Sequence, residues 1–157
     1  MARVCHGYED WASYHISTRT VDKPFWLAGP ADKQVILQAL DFYRRWGDFR
    51  LFGYVIMSNH VHFIVQPALG LRIGRIVDGF KTWTSRHNTA KTSSTLWERR
   101  YDDNAIRNDE EFREVLKYIH LNPVVAGITS VPEDYAWSSV HNYLKDGKTQ
   151  IEIDDPW

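Results

Sequence analysis

The sequence predicts one α+β domain built from antiparallel strands and amphipathic helices. Two adjacent apolar stretches, residues 51–57 and 60–66, are joined by Ser58-Asn59 and predict a β-hairpin. In three further segments, apolar side chains recur at helical spacing. With 157 residues and 43% hydrophobic side chains, the chain is long enough to bury one core around these elements.

The first strand is expected over residues 12–20, because apolar and threonine side chains alternate there with polar residues such as His15 and Arg19. A helix is expected from Asp32, a suitable N-cap residue, and its apolar positions continue until Gly47. The chain therefore begins with a strand and a helix before the hairpin.

The second hairpin strand carries two histidines that stand two residues apart. Side chains alternate faces along a strand, so His60 and His62 share one face while Phe63 and its apolar neighbours take the other. Two imidazoles at this spacing can reach one metal ion. A structural pair of histidines on a half-exposed strand gives the same pattern, and this stretch alone does not decide between the two.

A second amphipathic helix is expected from Ile73 to His87. Apolar side chains recur along it at helical spacing, and basic side chains are interspersed among them. Lys81, Arg86 and His87 are candidates for contacts with nucleic acid, and a helix surface charged only for solvation is the alternative.

Residues 96–106 are expected to form an edge strand, because aromatic and charged side chains alternate there. Arg99 and Arg100 follow Trp97 closely and precede Tyr101. Arginines beside aromatic rings suit single-stranded nucleic acid, whose bases stack and whose phosphates bind guanidinium groups. These two arginines are the best candidates for direct DNA contacts.

The third helix is expected to begin with a cap at Asn108 or Asp109. Acidic side chains in the first turn suit the positive end of the helix dipole. A proline pushes the residue before it out of helical geometry, so the helix is expected to stop before Pro123.

Two polar side chains meet on one face of this helix near its end. Tyr118 and Asn122 are four residues apart and are therefore neighbours, whereas His120 points roughly the opposite way. A tyrosine on an amphipathic helix usually belongs to the core, so the spacing alone assigns no function.

The net charge of −1 hides an uneven distribution along the chain. Residues 71–100 carry seven Lys and Arg against two Asp and Glu, whereas residues 101–157 carry five against twelve. A basic middle segment indicates a phosphate-rich partner, and a solvated run of charge is the alternative.

Residues 145–157 form an acidic tail that also holds the apolar side chains of Ile151, Ile153 and Trp157. Such a tail is expected to dock over the basic region 71–100 and to compete there with nucleic acid. A frayed terminus is the alternative.

Several function classes are disfavoured by what the sequence lacks. No apolar run approaches the ~20 residues of a membrane span, and the N-terminus has no signal-peptide pattern, so a cytosolic protein is expected. Cys5 is the single cysteine, which leaves no internal disulfide. Neither a Gly-x-x-x-x-Gly-Lys phosphate loop nor a Gly-x-Ser-x-Gly elbow occurs, so no nucleotide cofactor and no serine hydrolase chemistry are expected.

Four motifs occur in order along the chain and together carry a family resemblance. They are Met57-Ser58-Asn59-His60-Val61-His62-Phe63, Leu96-Trp97-Glu98-Arg99-Arg100-Tyr101, Tyr118-Ile119-His120-Leu121-Asn122-Pro123-Val124 and Asp134-Tyr135-Ala136-Trp137-Ser138-Ser139. Over roughly residues 14–143, the chain resembles the single-tyrosine HUH transposases, and among them the REP-associated tyrosine transposases. The resemblance implies a ferredoxin-like or RRM-like antiparallel sheet backed by helices, the HUH endonuclease fold. It implies one domain over residues 1–144, followed by the acidic tail 145–157.

The resemblance also implies roles for four residues. His60 and His62 match the two histidine ligands of a metal ion, and Asn122 falls where the family places a third ligand. Tyr118 matches the nucleophile. Two imidazoles and a carboxamide oxygen suit Mg²⁺ or Mn²⁺, which is the cofactor expected.

The chain departs from the family pattern at two positions. Val125 follows Asn-Pro-Val where relatives commonly have a basic residue, which removes one potential contact with the DNA backbone. Ala136 stands between Tyr135 and Trp137 where a proline is usual, and this change concerns only a C-terminal turn.

The activity implied is cleavage and rejoining of single-stranded DNA beside hairpins of the repetitive extragenic palindromic (REP) type. The cut end would be held as a 5′-phosphotyrosine. A monomer is expected, with a dimer left open. Two alternatives remain: an inactive hairpin-binding regulator derived from such an enzyme, and a metal-dependent nuclease that uses water and leaves no covalent adduct.

Overall fold

An antiparallel four-stranded sheet with helices on both faces forms the frame of the protein, in a computed structural model that describes residues 12–21, 25–89 and 96–157. The strands are β1 (Ser13–Thr20), β2 (Phe49–Ile56), β3 (His60–Pro67) and β4 (Trp97–Ile106). The α-helices are α1 (Pro30–Trp46), α2 (Ile73–His87), α3 (Asp109–Val125) and α4 (Val140–Leu144), and a 3₁₀ turn spans Pro132–Asp134. Among the residues described, no helix has the length and apolar character needed to cross a membrane.

The strand order is β2-β3-β1-β4, and every neighbouring pair is antiparallel. The predicted hairpin of β2 and β3 is confirmed, β3 lies inside the sheet, and β4 is an edge strand as expected. The sequence therefore predicted the four strands, the three long helices and the α+β class, but not α4 or the 3₁₀ turn.

The two faces of β3 have different partners. Val61, Phe63 and Val65 face α1 and α2 and belong to the main core. Ile64 faces the opposite way and packs with Ile119 of α3 in a second cluster. The histidines of β3 lie on the same face as Ile64, which is the face that α3 covers.

Gly53 of β2 allows α3 to approach the sheet closely. A Cβ atom at this position would lie 2.9 Å from Cδ1 of Leu116 and 3.3 Å from Cδ1 of Ile119, so a larger residue would push the helix outward. The register of β2 against β3 shifts between Leu51 and Gly53. The missing side chain thus helps to set the distance between α3 and the sheet.

The start of α1 differs from the prediction. The N-cap is Gly29, with Pro30 in the first turn, and no side chain caps the helix. Proline is favoured at this position because its fixed φ suits the first turn and its missing N–H would have no helical partner there. The predicted cap, Asp32, instead accepts a hydrogen bond from the backbone N–H of Thr89 at 3.1 Å. The predicted end is correct, since Gly47 has a φ of 93°.

The predicted end of α3 is wrong, because the helix passes through Pro123 to Val125. A proline within a helix removes one backbone donor, and here Pro123 is buried and its carbonyl accepts from the N–H of Ile128 at 2.9 Å. Its start is confirmed, since the side chain of Asn108 accepts from the N–H of Glu111 at 2.9 Å.

The acidic tail does not dock over residues 71–100, and it is not frayed. Asp154 pairs with Arg44 of α1, while Ile151 and Ile153 pack against the main core. The tail lies along β2, which is the edge strand opposite β4, and the backbone N–H of Asp154 donates there to the carbonyl of Leu51 at 2.7 Å. An edge strand offers unpaired backbone groups, and Arg44 adds a cation, which together explain this position.

Candidate active site

The strand β3 supplies two histidines from inside the sheet. His60 is its first residue and His62 its third, so both project from the face covered by α3. His62 is buried with 5% of its surface exposed, and His60 is half-buried. Because β1 and β2 pair with β3 on both sides, the backbone that carries the two imidazoles is held in place.

The helix α3 brings two side chains to these histidines. The carboxamide of Asn122 places Oδ1 3.3 Å from Nε2 of His60 and Nδ2 3.3 Å from Nε2 of His62. The ring of Tyr118 stands edge-on to that of His62, with centroids 5.6 Å apart. His120 points away, as expected, and its Nε2 lies 2.8 Å from Oγ of the buried Ser139.

The electrostatics of the site keep both strand imidazoles neutral. Burial lowers the pKa of His62 to about 3, and the nearby positive charge of other histidines and of Arg19 acts in the same direction. Burial also lowers the pKa of His60, and only the protonated ring would gain a hydrogen bond to Asn122, which opposes the shift. At neutral pH each ring therefore has a nitrogen lone pair available.

The donor set fits a divalent metal ion. Nδ1 of His60 lies 2.7 Å from Oδ1 of Asn59, so the neutral ring donates there and presents the lone pair of Nε2 to Asn122. Oδ1 of Asn122 is also an acceptor, and two acceptors 3.3 Å apart repel each other unless a cation lies near them. Nitrogen and carboxamide oxygen ligands suit a Mg²⁺ or Mn²⁺ ion that keeps positions for water and phosphate.

The carboxamide of Asn122 lies against both strand histidines. In the part of the chain that the structure describes, no group of three or more His, Cys, Asp or Glu side chains is arranged to hold a metal ion. Asn122 is the candidate for a third ligand beside His60 and His62.

The sequence-based reasoning missed three residues of this site. His15 of β1 places Nε2 3.0 Å from Nδ1 of His62, Arg19 of β1 pairs in register with His60, and Asn59 binds His60 as described above. His15 and Arg19 were correctly assigned to one face of the first strand. Bringing them to the histidines of β3 requires the pairing of β1 with β3, and no local pattern in the sequence predicts that pairing.

The predicted DNA contacts fall in two places. Arg99 and Arg100 are exposed on the edge strand β4 and make no ion pair with any residue described. Lys81, Arg86 and His87 lie on α2, across the sheet from the histidines. The ammonium of Lys81 donates to the carbonyl of Glu98 at 2.7 Å, so it also fastens α2 to β4. The structure does not bring these α2 side chains to the histidine site.

Comparison with models of protein families shows which family this chain belongs to. The model of the family described as "Transposase IS200 like" matches residues 10–122, which is more than half of the chain. The chain belongs to the IS200-like transposases. The matched segment contains both strand histidines, Tyr118 and Asn122.

Two curated relatives of this IS200-like transposase confirm the narrower resemblance. A protein of Haemophilus influenzae assigned as a REP-associated tyrosine transposase is 26% identical over 119 residues, covering 68% of this chain and 66% of the relative. The REP-associated tyrosine transposase of Escherichia coli is 25% identical over 126 residues, covering 76% of this chain and 71% of the relative. The chain thus spans about two-thirds of the length of the curated relatives it matches.

Two solved structures share the fold of this IS200-like transposase. A REP-associated tyrosine transposase bound to a REP hairpin has a TM-score of 0.80 and 20% identity, covering 99% of this chain and 92% of that one. A protein of Deinococcus radiodurans assigned as a transposase has a TM-score of 0.54 and 16% identity, and the match covers 76% of this chain and 95% of that one. The predicted antiparallel sheet backed by helices is thereby confirmed.

Proposed function

We propose that this IS200-like transposase cleaves and rejoins single-stranded DNA beside hairpins through a 5′-phosphotyrosine intermediate. The observation that carries the proposal is the meeting of Tyr118 with His60, His62 and Asn122 on two facing elements. The names of the curated relatives and the hairpin held by the structural neighbour support hairpin DNA as substrate. We expect a monomer that acts on DNA in the cytoplasm.

Tyr118 supplies the attacking atom. Its side chain is 56% exposed, so a DNA phosphate can approach the phenolic oxygen. This oxygen forms a bond to the scissile phosphorus while the bond from phosphorus to the 3′ oxygen breaks. The phenol releases its proton to solvent, and the departing 3′ oxygen takes one up. A 3′-hydroxyl attacking the phosphotyrosine reverses these steps and rejoins the strand without a nucleotide cofactor.

His60, His62 and Asn122 are the residues that would hold Mg²⁺ or Mn²⁺. When bound, the ion supplies Lewis-acid stabilisation of the charge on the phosphate and on the leaving 3′ oxygen. The chain's own contribution is to keep the two imidazoles neutral by burial and to hold them on an interior strand.

Positively charged side chains around the site would bind the DNA backbone. Arg19 is exposed beside His60 and makes no ion pair with any residue described, so its guanidinium can contact the scissile phosphate or the one next to it. Arg99 and Arg100 are consecutive in β4 and point to opposite faces of the sheet, so at most one of them extends this positive charge beside the histidines. The α2 side chains lie on the other layer and would contact a different part of a hairpin.

A labelled hairpin with a single-stranded flank tests this proposal. Incubated with the protein and Mn²⁺, it should yield a free 3′-hydroxyl fragment and a labelled protein band that survives denaturing electrophoresis. Binding without cleavage would identify an inactive hairpin-binding protein. Cleavage without the covalent band would identify a nuclease that uses water, and either result would overturn the proposal.

A further inference from the structure

A hydrogen bond outside the predicted ligand set holds one of the two strand histidines. Nε2 of His15 lies 3.0 Å from Nδ1 of His62, and the ring centroids are 5.1 Å apart. His15 shares its face of β1 with Ser17, which is the register partner of His62. The four sequence motifs do not include His15.

The carboxamide of Asn122 decides which nitrogen of His62 carries the proton. Its Nδ2 is only a donor and lies 3.3 Å from Nε2 of His62, so Nε2 must present a lone pair. The neutral imidazole then carries its proton on Nδ1, and this N–H donates to Nε2 of His15. The opposite arrangement, with His15 as donor, would place a proton on Nε2 of His62. That proton would face the N–H of Asn122 and would block metal coordination.

We propose that His15 is a positioning residue that holds His62 in the tautomer and orientation able to bind a divalent metal ion. The inference rests on the proposed function in that the ion belongs to the same site. Partners that accept the second N–H of a metal-binding imidazole orient the ring and make it a better ligand. Asn59 does this for His60, and His15 does it for His62.

Three neighbours hold the ring of His15 where a neutral imidazole, which has one nitrogen lone pair, can accept from His62. The ring of Tyr118 stands edge-on to His15 with centroids 6.0 Å apart. On β4, Asn104 is the register partner of His15. His15 is thus fixed between the strand histidine, the helix and the edge strand.

Two measurements on the full chain test this role without measuring cleavage. The nitrogen-15 NMR spectrum of the metal-free protein reports the tautomer of His62 directly. Titration with Mn²⁺, followed by the electron paramagnetic resonance signal of the free ion, reports affinity. The variants are His15→Ala, which removes the acceptor, and His15→Gln, whose carboxamide oxygen can replace it. Asn104→Ala is the control that alters a neighbour of His15 but leaves the hydrogen bond to His62 intact.

We expect His62 to carry its proton on Nδ1 in the wild type and in His15→Gln, and to populate both tautomers in His15→Ala. Mn²⁺ affinity should fall about 10- to 100-fold in His15→Ala, while His15→Gln and Asn104→Ala stay near the wild-type value. Wild-type affinity in a folded His15→Ala protein would overturn the inference. Equal losses of Mn²⁺ affinity in His15→Ala and His15→Gln would also overturn it, because the affinity would then not depend on a hydrogen-bond acceptor at position 15.

The outcome is separable from that of the proposed function. If the wild type forms the covalent DNA adduct but Mn²⁺ binding is independent of His15, only the role of His15 is wrong. If Mn²⁺ binding depends on His15 but no adduct forms on any hairpin, the role of His15 stands and the transposase chemistry is wrong.

Discussion

Nε and Nη2 of Arg44 donate to the two carboxylate oxygens of Asp154, at 3.0 and 3.1 Å. The same carboxylate accepts the backbone N–H of Leu51 at 2.9 Å. The C-terminal tail is therefore tied both to α1 and to the edge strand β2. The tail covers that edge of the sheet. Deleting residues 146–157 should therefore lower the free energy of unfolding, and its effect on DNA binding should be smaller.

Asp154→Ala should lower the free energy of unfolding by about 1–3 kcal/mol, because it removes two charge-assisted hydrogen bonds and leaves the backbone N–H of Leu51 without its partner. Urea unfolding followed by tryptophan fluorescence measures this. Glu152→Ala is the matched control, since Glu152 is 89% exposed and lies 3.9 Å from Arg44. Its change should stay within about 0.5 kcal/mol. Equal effects of the two substitutions would mean that the tail is not held through Asp154.

Tyr118→Phe should abolish DNA cleavage and the covalent adduct while leaving hairpin affinity nearly unchanged. Only the attacking oxygen is removed, and the ring can keep its edge-on contacts with His62 and His15. A labelled hairpin analysed on denaturing and native gels measures both quantities. An adduct formed by the phenylalanine variant would assign the nucleophile to another residue.

His60→Ala and His62→Ala should each abolish cleavage that depends on added Mg²⁺ or Mn²⁺, because one imidazole and one carboxamide hold a divalent ion weakly. Treating the wild type with excess EDTA should have the same effect, and adding Mn²⁺ back should restore activity only in the wild type. Undiminished cleavage in EDTA would leave the two histidines with a structural role only.

Arg19→Ala should slow cleavage about 10- to 100-fold, because a charge-assisted hydrogen bond to a phosphate would be lost. Arg45→Ala is a suitable control, since its side chain is 74% exposed near the end of α1, in the layer on the other side of the sheet. Single-turnover cleavage rates at saturating protein compare the two. If Arg19→Ala cleaves as fast as Arg45→Ala, Arg19 does not contact the reacting phosphate.

His120 should make the protein less stable as the pH falls. Burial lowers its pKa to about 4, helped by the nearby His141, whereas a histidine in the unfolded chain titrates near 6.5. Between these values the unfolded state binds more protons, so stability is complete above about pH 6.5 and falls by up to ~1.4 kcal/mol per pH unit down to about pH 4. His120→Gln should flatten this slope in urea unfolding at pH 7 to 4.5. An unchanged slope would show that other groups cause the acid sensitivity.

The sequence predicted the strands and long helices because each has a local hydrophobic pattern, which is a continuous apolar run in β2 and a period elsewhere. The hairpin of β2 and β3, the edge position of β4 and the divergence of Tyr118 and His120 on α3 all follow from local periodicity. The four motifs also contained His60, His62, Tyr118 and Asn122, which the structure brings together.

What the sequence could not predict depends on contacts between distant segments. The hydrogen bond of His15 to His62 requires the register of β1 against β3, which no local pattern specifies. The position of the tail depends on Arg44, more than a hundred residues away. The passage of α3 through Pro123 also depends on context, since burial of the ring compensates for the missing hydrogen bond.

Tyr118, the proposed nucleophile, and Asn122, the proposed third ligand, lie on a single helix, four residues apart. Their separation is therefore a count of residues, about 6 Å along the helix axis, and does not depend on how α3 packs. Inserting or deleting one residue between Tyr118 and Asn122 would turn one side chain by about 100° relative to the other and send it away from the histidines. In this turn, a change in chain length would therefore separate Tyr118 from Asn122 even if every other side chain were kept.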